Sequence, residues 1–269
     1  MNCTLETTRI TVHEIVRMRT FQILAATIIL LPLVAIVFSN IFIFDIGKVR
    51  IDVLVAGSRL LATTYILFIA VTLMGRDIGQ KTCYQFLMPP ISRHAYLTGR
   101  FTGLLLCLLL LMILSMVSGE LLISITFSET AEIYRRGLSH GTGLSMAFLI
   151  FFQHISLLAM VLMICSWATG LAEMLIFSLA GIFLSWILPP IIQALQTEEV
   201  IQHVPPIVAA FTNIIGSILP QLNGGDIALA LAHGLSMNTS DIIWHLVEHS
   251  SYALIMFAMA LIIFFRRDL

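Results

Sequence analysis

Phe101-Thr-Gly-Leu-Leu-Leu-Cys-Leu-Leu-Leu-Leu-Met-Ile-Leu-Ser-Met-Val-Ser-Gly119 contains no charged residue. A helix of about 20 apolar residues crosses the hydrocarbon core of a bilayer, and this stretch has that length. Arg100 precedes it and Glu120 follows it, so charge marks both ends. Five further segments read the same way: 21–44, 53–74 (interrupted by Arg59), 144–169, 174–195 and 242–265. The whole chain of 269 residues is 59% hydrophobic and only 11% charged. Its mean hydropathy is +1.00. A soluble domain carries about a quarter charged residues and needs them to solvate its surface. The expected fold is an all-α integral membrane protein with six transmembrane helices in a single domain, 1–269.

Lys and Arg in the short loops set the orientation. With the N-terminus cytoplasmic, nine basic residues lie inside: Arg9, Arg17, Arg19, Arg76, Lys81, Arg93, Arg100, Arg266 and Arg267. Four lie outside, namely Lys48, Arg50, Arg135 and Arg136, and Arg59 falls within a span. The bias favours both ends inside, hence an even number of spans. Residues 204–222 are uncharged and compete for a seventh. That segment opens on Pro205-Pro206 and ends near Pro220, and counting it would move Arg266 and Arg267 outside. It is therefore read as a re-entrant or interfacial helix in the outer excursion, 196–241, between spans 5 and 6. Irregular backbone there must be buried in protein or line a water-filled cavity.

Residues 1–20 form a cytoplasmic interfacial segment. Ile10, Val12, Ile15, Val16 and Met18 alternate with Arg9, His13, Glu14, Arg17 and Arg19, the pattern of a helix lying in the headgroup layer. The polar stretch 1–22 lacks the apolar core of a signal peptide. Cys3, Cys83, Cys107 and Cys165 include no CxxC pair and read as free thiols. A net charge of −1 and the lack of a basic tract argue against nucleic acid as a partner. The lipid bilayer is the expected surroundings.

The cytoplasmic loop 75–100 is the most informative connection. Residues 80–88 can form a short helix presenting Tyr84, Phe86, Leu87 and Met88, which Pro89 and Pro90 stop. Ser92 can cap the helix that follows. A short amphipathic helix on a stiff bracket suits a partner's groove.

This loop resembles the region after the second span in permease subunits of ABC exporters of the type-2 class. The residues that carry the resemblance are Asp77, Gly79, Thr82, Pro90-Ile91-Ser92-Arg93, Tyr96 and Gly99-Arg100, with arginine standing where the family usually has lysine. Leu219-Pro-Gln-Leu-Asn223, Asp226, Ala232-His-Gly234 and the ending Phe264-Phe-Arg-Arg-Asp-Leu269 look like the subgroup labelled for multicopper-enzyme maturation. The resemblance implies a bacterial inner-membrane protein with both termini cytoplasmic. It implies pairing with a second permease copy or a paralogue, and docking of a cytosolic ABC ATPase on a coupling helix between spans 2 and 3. Asp77, Gly79, Thr82, Tyr84, Phe86, Leu87, Pro90 and Arg93 would form that docking region. ATP and Mg would sit on the ATPase, no cofactor on this chain, and hydrolysis would drive export of a substrate or transmit motion. The residues agree on one point: no GxxxxGK[ST] phosphate loop occurs, so this chain is not expected to be the enzyme.

Polar residues within spans mark functional sites by default. Arg59 is placed about 10 Å from the outer end of span 2, as an anchor paired with Asp52 or Glu120 or as a substrate contact. Gln153 and His154 in span 4 are read as interhelical hydrogen-bonding partners. Glu173 suits the N-terminus of span 5. His245-Leu-Val-Glu-His249 matches the H-x-x-E-H string of some metallohydrolases. Such a site needs a third protein ligand, and none follows on the same side of the membrane. His245 and His249 stay a weak metal candidate, and a membrane-anchored metallohydrolase stays the alternative reading.

Overall fold

The computed structural model describes residues 3–42, 46–79, 92–129, 139–195, 205–220, 222, 230, 235 and 238–267. Every regular element among them is helical. In chain order they are α1 (Cys3–Arg17), α2 (Arg19–Ser39), α3 (Ile46–Tyr65), α4 (Val71–Gly79), α5 (Arg93–Glu129), α6 (Thr142–Trp167), α7 (Leu171–Leu195), α8 (Pro206–Ile218) and α9 (Thr239–Arg266). A π-helical turn, Ile66–Ala70, joins α3 to α4 without a break, so the two make one span. With α2, α5, α6, α7 and α9 this gives six helices long and apolar enough to cross a bilayer. The protein is a multi-pass helical membrane protein.

The helices run past the segments that hydropathy marks. α5 has 37 residues, about 55 Å at the α-helical rise, against a hydrocarbon core of about 30 Å. Its ends therefore stand clear of the apolar layer and carry Arg93, Arg100, Glu120 and Glu129. The same holds for span 2, whose helix begins at Ile46 rather than near residue 53. Hydropathy detects where a helix crosses lipid, whereas the helix itself continues until its hydrogen bonding is interrupted.

α6 is the central helix. Two-thirds of its apolar window is buried (67%), against 22% for that of α9, which packs along it on the outside of the bundle. The outward faces are apolar: Ile23, Leu33, Ile176, Phe183 and Leu254 are all more than half exposed. Such a surface would drive association in water and is matched by lipid. Local breaks are set by sequence. Gly141 takes φ 89° at the start of α6, a conformation that glycine adopts without strain. Pro205 sets the start of α8, and Leu219 turns extended ahead of Pro220.

α1 and the end of α9 lie at the same end of the bundle. α1 packs on the start of α5, and the end of α9 meets that same start. The Arg93 guanidinium donates to the carbonyls of Phe265 and Arg267 at 3.0 and 2.8 Å. Arg267 reaches the Ser166 carbonyl at the end of α6 at 3.1 Å. At the opposite end, Arg50 donates to Ser39 and Thr126 at 3.1 Å each, tying together spans 1, 2 and 3. An even number of crossings follows, as the charge count requires. α8 has 13 residues, about 20 Å, too short for a crossing of about 30 Å. α8 is thus too short to be a seventh span.

Candidate functional site

Among the described residues, polar sites interrupt the apolar bundle at several places, and two of them are built around residues that the sequence singles out. The first is an ionic cluster where α1, α4 and α5 converge. Arg100, on α5, is 1% exposed and donates to Asp77 at 2.7 Å, to Glu14 at 2.8 Å and to Thr11 at 3.3 Å. The Tyr96 hydroxyl donates to the same Asp77 oxygen at 2.5 Å, and its ring lies 5.7 Å from the Arg100 guanidinium carbon. Arg76 reaches Glu14 from the rim. Two carboxylates thus face two guanidiniums, and burial is matched by charge-assisted hydrogen bonds.

Helical spacing produces the cluster. Tyr96 and Arg100 stand four residues apart on one face of α5, and Thr11 and Glu14 three apart on one face of α1. Close approach of these helices depends on small residues. A Cβ added to Gly99 would lie 2.5 Å from Thr7 Cβ, and one added to Gly103 would lie 2.6 Å from Thr11 Cβ. Thr8 and Thr102 share a hydrogen bond of 2.7 Å across the same seam. Small residues four apart on both helices are the usual means of close helix approach in membranes. α1 is accordingly docked along α5, with Thr7, Thr11 and Ile15 buried and Leu5, Ile10 and Val16 facing outward.

Asp77, read from the sequence as a docking residue, turns its carboxylate inward and is 2% exposed. Gly79 ends α4. Arg93 is committed to the end of α9, where His94 and Tyr96 also stack on Phe265 and Phe264. Thr82, Tyr84, Phe86, Leu87 and Pro90 lie outside the described residues. The structure therefore places the two roots of loop 75–100. Both are clamped: one by Asp77 to Arg100, the other by Arg93 to α9.

The second site is a cavity of about 160 Å³ within the bundle, lined by Ala56, Arg59, Gln153, His154, Trp186 and Leu222. Arg59 lies thirteen residues beyond the start of α3 at Ile46, about 20 Å along the helix. The length beyond the 10 Å read from the sequence is the overrun of residues 46–52, which are helical rather than loop. Gln153 donates to the Leu222 carbonyl, joining span 4 to the stretch after α8. His154 bonds Thr63 of span 2 at 3.2 Å through Nε2 and the Ile150 carbonyl at 2.8 Å through Nδ1. His154 thus bridges two helices, as its sequence reading has it, whereas the partner of Gln153 lies outside any helix. Glu120 turns to another task than pairing with Arg59: its Oε1 accepts the N–H groups of Gly141 and Gly143 at 3.0 Å each, at the start of α6. Glu120→Gln should cost about 1 kcal/mol of stability, measurable as a lower unfolding midpoint in detergent.

Glu173 accepts the N–H and hydroxyl of Thr169 at 2.9 and 2.8 Å and so closes the turn before α7. His249 points into the bundle, bonding Ser156 of α6 at 3.0 Å through Nδ1, with the His245 ring stacked edge-on at 4.3 Å. No third acidic, histidine or cysteine ligand joins them among the described residues. Cys3, Cys107 and Cys165 are free thiols.

Fold and sites define a helical multi-pass membrane protein with a clamped ionic cluster at one end and a polar cavity lined by Arg59, Gln153 and His154 within the bundle. No protein-family model matches the chain, and no curated protein matches it either.

Proposed function

We propose that the chain is the transmembrane permease subunit of an ATP-driven exporter, working with a separate cytosolic ABC ATPase that docks on residues 80–91. The supporting observation is the clamping of both roots of that loop. A force on a flexible loop is lost in bending, whereas a force on a clamped one moves the helices that hold it. Through Asp77, Arg100 and Glu14 the first root is tied to spans 2 and 3 and to α1. Through Arg93 the second is tied to span 6. The ATPase would bind ATP and Mg, and closure of two ATPases would tilt two paired permeases.

In this reading the clamped end faces the bacterial cytoplasm, with α1 in the inner leaflet's interface and Leu5, Ile10 and Val16 toward lipid. Asp77 and Arg93 position the docking loop, and Tyr84, Phe86, Leu87 and Met88 make the contact. α8 and its neighbours lie on the outer side. Phe86→Lys should abolish copurification of the coexpressed ATPase, while membrane insertion and the unfolding midpoint stay unchanged. An ATPase that copurifies undiminished with this variant rejects the docking assignment. Transport itself is read from stimulation of ATP hydrolysis by cargo in the reconstituted complex.

A further inference from the structure

Beside the face that seats it on α5, α1 presents an apolar strip and a basic edge. Leu5, Val12 and Val16 form the strip, and with Leu106 of α5 they line an open groove of about 610 Å³. Arg9, His13 and Arg17 recur every fourth residue and so stand in a row along the same groove. All three are exposed, and among the described residues their side chains have neither a hydrogen bond nor an ion pair. Neither acid of α1, Glu6 or Glu14, lines the groove, and Glu14 is held by Arg100 and Arg76. The groove sits where charge gives way to hydrocarbon. Arg100 is the last charge before the uncharged run 101–119, and Leu106 lies six residues further along α5, about 9 Å. An apolar bed at that level with cations along one edge suits an anionic lipid: chain on the bed, phosphate at the edge.

We propose that this groove binds one acidic phospholipid, its phosphate held by Arg9 and Arg17 and one acyl chain lying against Val12, Val16 and Leu106. The planar donors of arginine fit phosphate oxygens, and His13 adds a ring N–H between them. A zwitterionic lipid brings its own cation to the same edge and gains less there. A free phosphate would leave the apolar strip uncovered, whereas a lipid covers strip and edge together. That the lipid belongs to the cytoplasmic leaflet rests on the exporter reading, but the preference for an acidic head does not.

The test uses the purified full chain in bilayers without any ATPase, so failure of docking and failure of this site are distinguishable. Trp167, Trp186 and Trp244 are changed to Phe, and Leu110→Trp then places one indole a turn beyond Leu106, outside the groove lining. Bromine-tailed phosphatidylglycerol or bromine-tailed phosphatidylcholine is titrated into plain phosphatidylcholine, and the bromines quench the indole on contact. The anionic probe should reach half-quenching at a roughly tenfold lower fraction. Leu254→Trp in the same background, on an exposed position of α9, should show no such preference. Arg9→Gln with Arg17→Gln should bring the two probes level, and Arg9→Lys with Arg17→Lys should keep most of the difference. Equal quenching by both probes at Leu110→Trp overturns the proposal, as does the same preference at Leu254→Trp or one that survives the paired Gln changes. Quenching by neither probe would mean that protein covers the groove, and overturns it as well. Should the paired Gln variant fail to fold, salt decides: raising it from about 0.05 M to about 0.5 M should bring the probes level, and a salt-independent preference overturns the proposal.

Discussion

Arg100→Met should lower the unfolding free energy by about 3–5 kcal/mol, the largest effect expected of any single side chain outside the apolar core. The loss does not come from the attraction alone. Glu14 keeps Arg76 as a partner, while Asp77, 2% exposed, loses the guanidinium that lies 2.7 Å from its carboxylate. A buried carboxylate that loses a cation at hydrogen-bonding distance is the costly species. Asp77→Asn in the same chain should therefore recover part of the loss, because the residue left behind no longer carries charge. The measurement is a double-mutant cycle on unfolding in detergent. A coupling of about 0.5–3 kcal/mol is expected for groups in one network, and strictly additive losses would show that the pair contributes nothing. Under the proposed exporter function, Arg100→Met should uncouple hydrolysis by the partner ATPase at temperatures where the variant is still folded.

Gly99→Val should release α1 from the bundle. The added Cβ would fall 2.5 Å from Thr7 Cβ and 2.9 Å from the Thr4 carbonyl oxygen, and a carbonyl in a helix cannot step aside. Overpacking of this kind costs about 1–3 kcal/mol, and here nearly all of it bears on one helix. Trypsin should then cleave after Arg9 and Arg17 many times faster, with the rest of the chain unaffected. Gly170→Ala is the control, since a Cβ there meets nothing within 4 Å. Equal protection of the wild type and Gly99→Val would mean that α1 is held by other contacts.

The two variants concern features of unequal visibility in the sequence. Asp77, Tyr96 and Arg100 stand out because charged and aromatic residues at the edge of a span are few, yet their mutual contact does not. The inward turn of Asp77 depends on the rotation of α4 about its axis, and nothing local records that angle. The seam of α1 on α5 left a fainter trace, Thr7 and Thr11 against Gly99 and Gly103 at the same spacing of four. That signal was readable, but only by comparing two segments more than 90 residues apart. Glu120 shows the reverse case. Its charge suggested a partner in Arg59, whereas the nearest unsatisfied donors were the amides at the start of α6.

By itself the sequence determined that this chain is a multi-pass membrane protein with six segments apolar enough to cross a bilayer. Those properties follow from hydropathy and charge summed along single segments, and a segment's partition between water and lipid is settled locally. Tertiary structure alone decided which charges meet, where each helix begins and ends, and that loop 75–100 springs from two fixed roots. Each depends on helix rotation, helix overrun beyond the lipid boundary and packing between distant segments, which no window of sequence contains. The uncharged stretch 101–119 is the common point. It is one span among six by its sequence, and by its structure it is the middle of a helix about 55 Å long whose far-reaching ends carry the ionic cluster and the cap of α6.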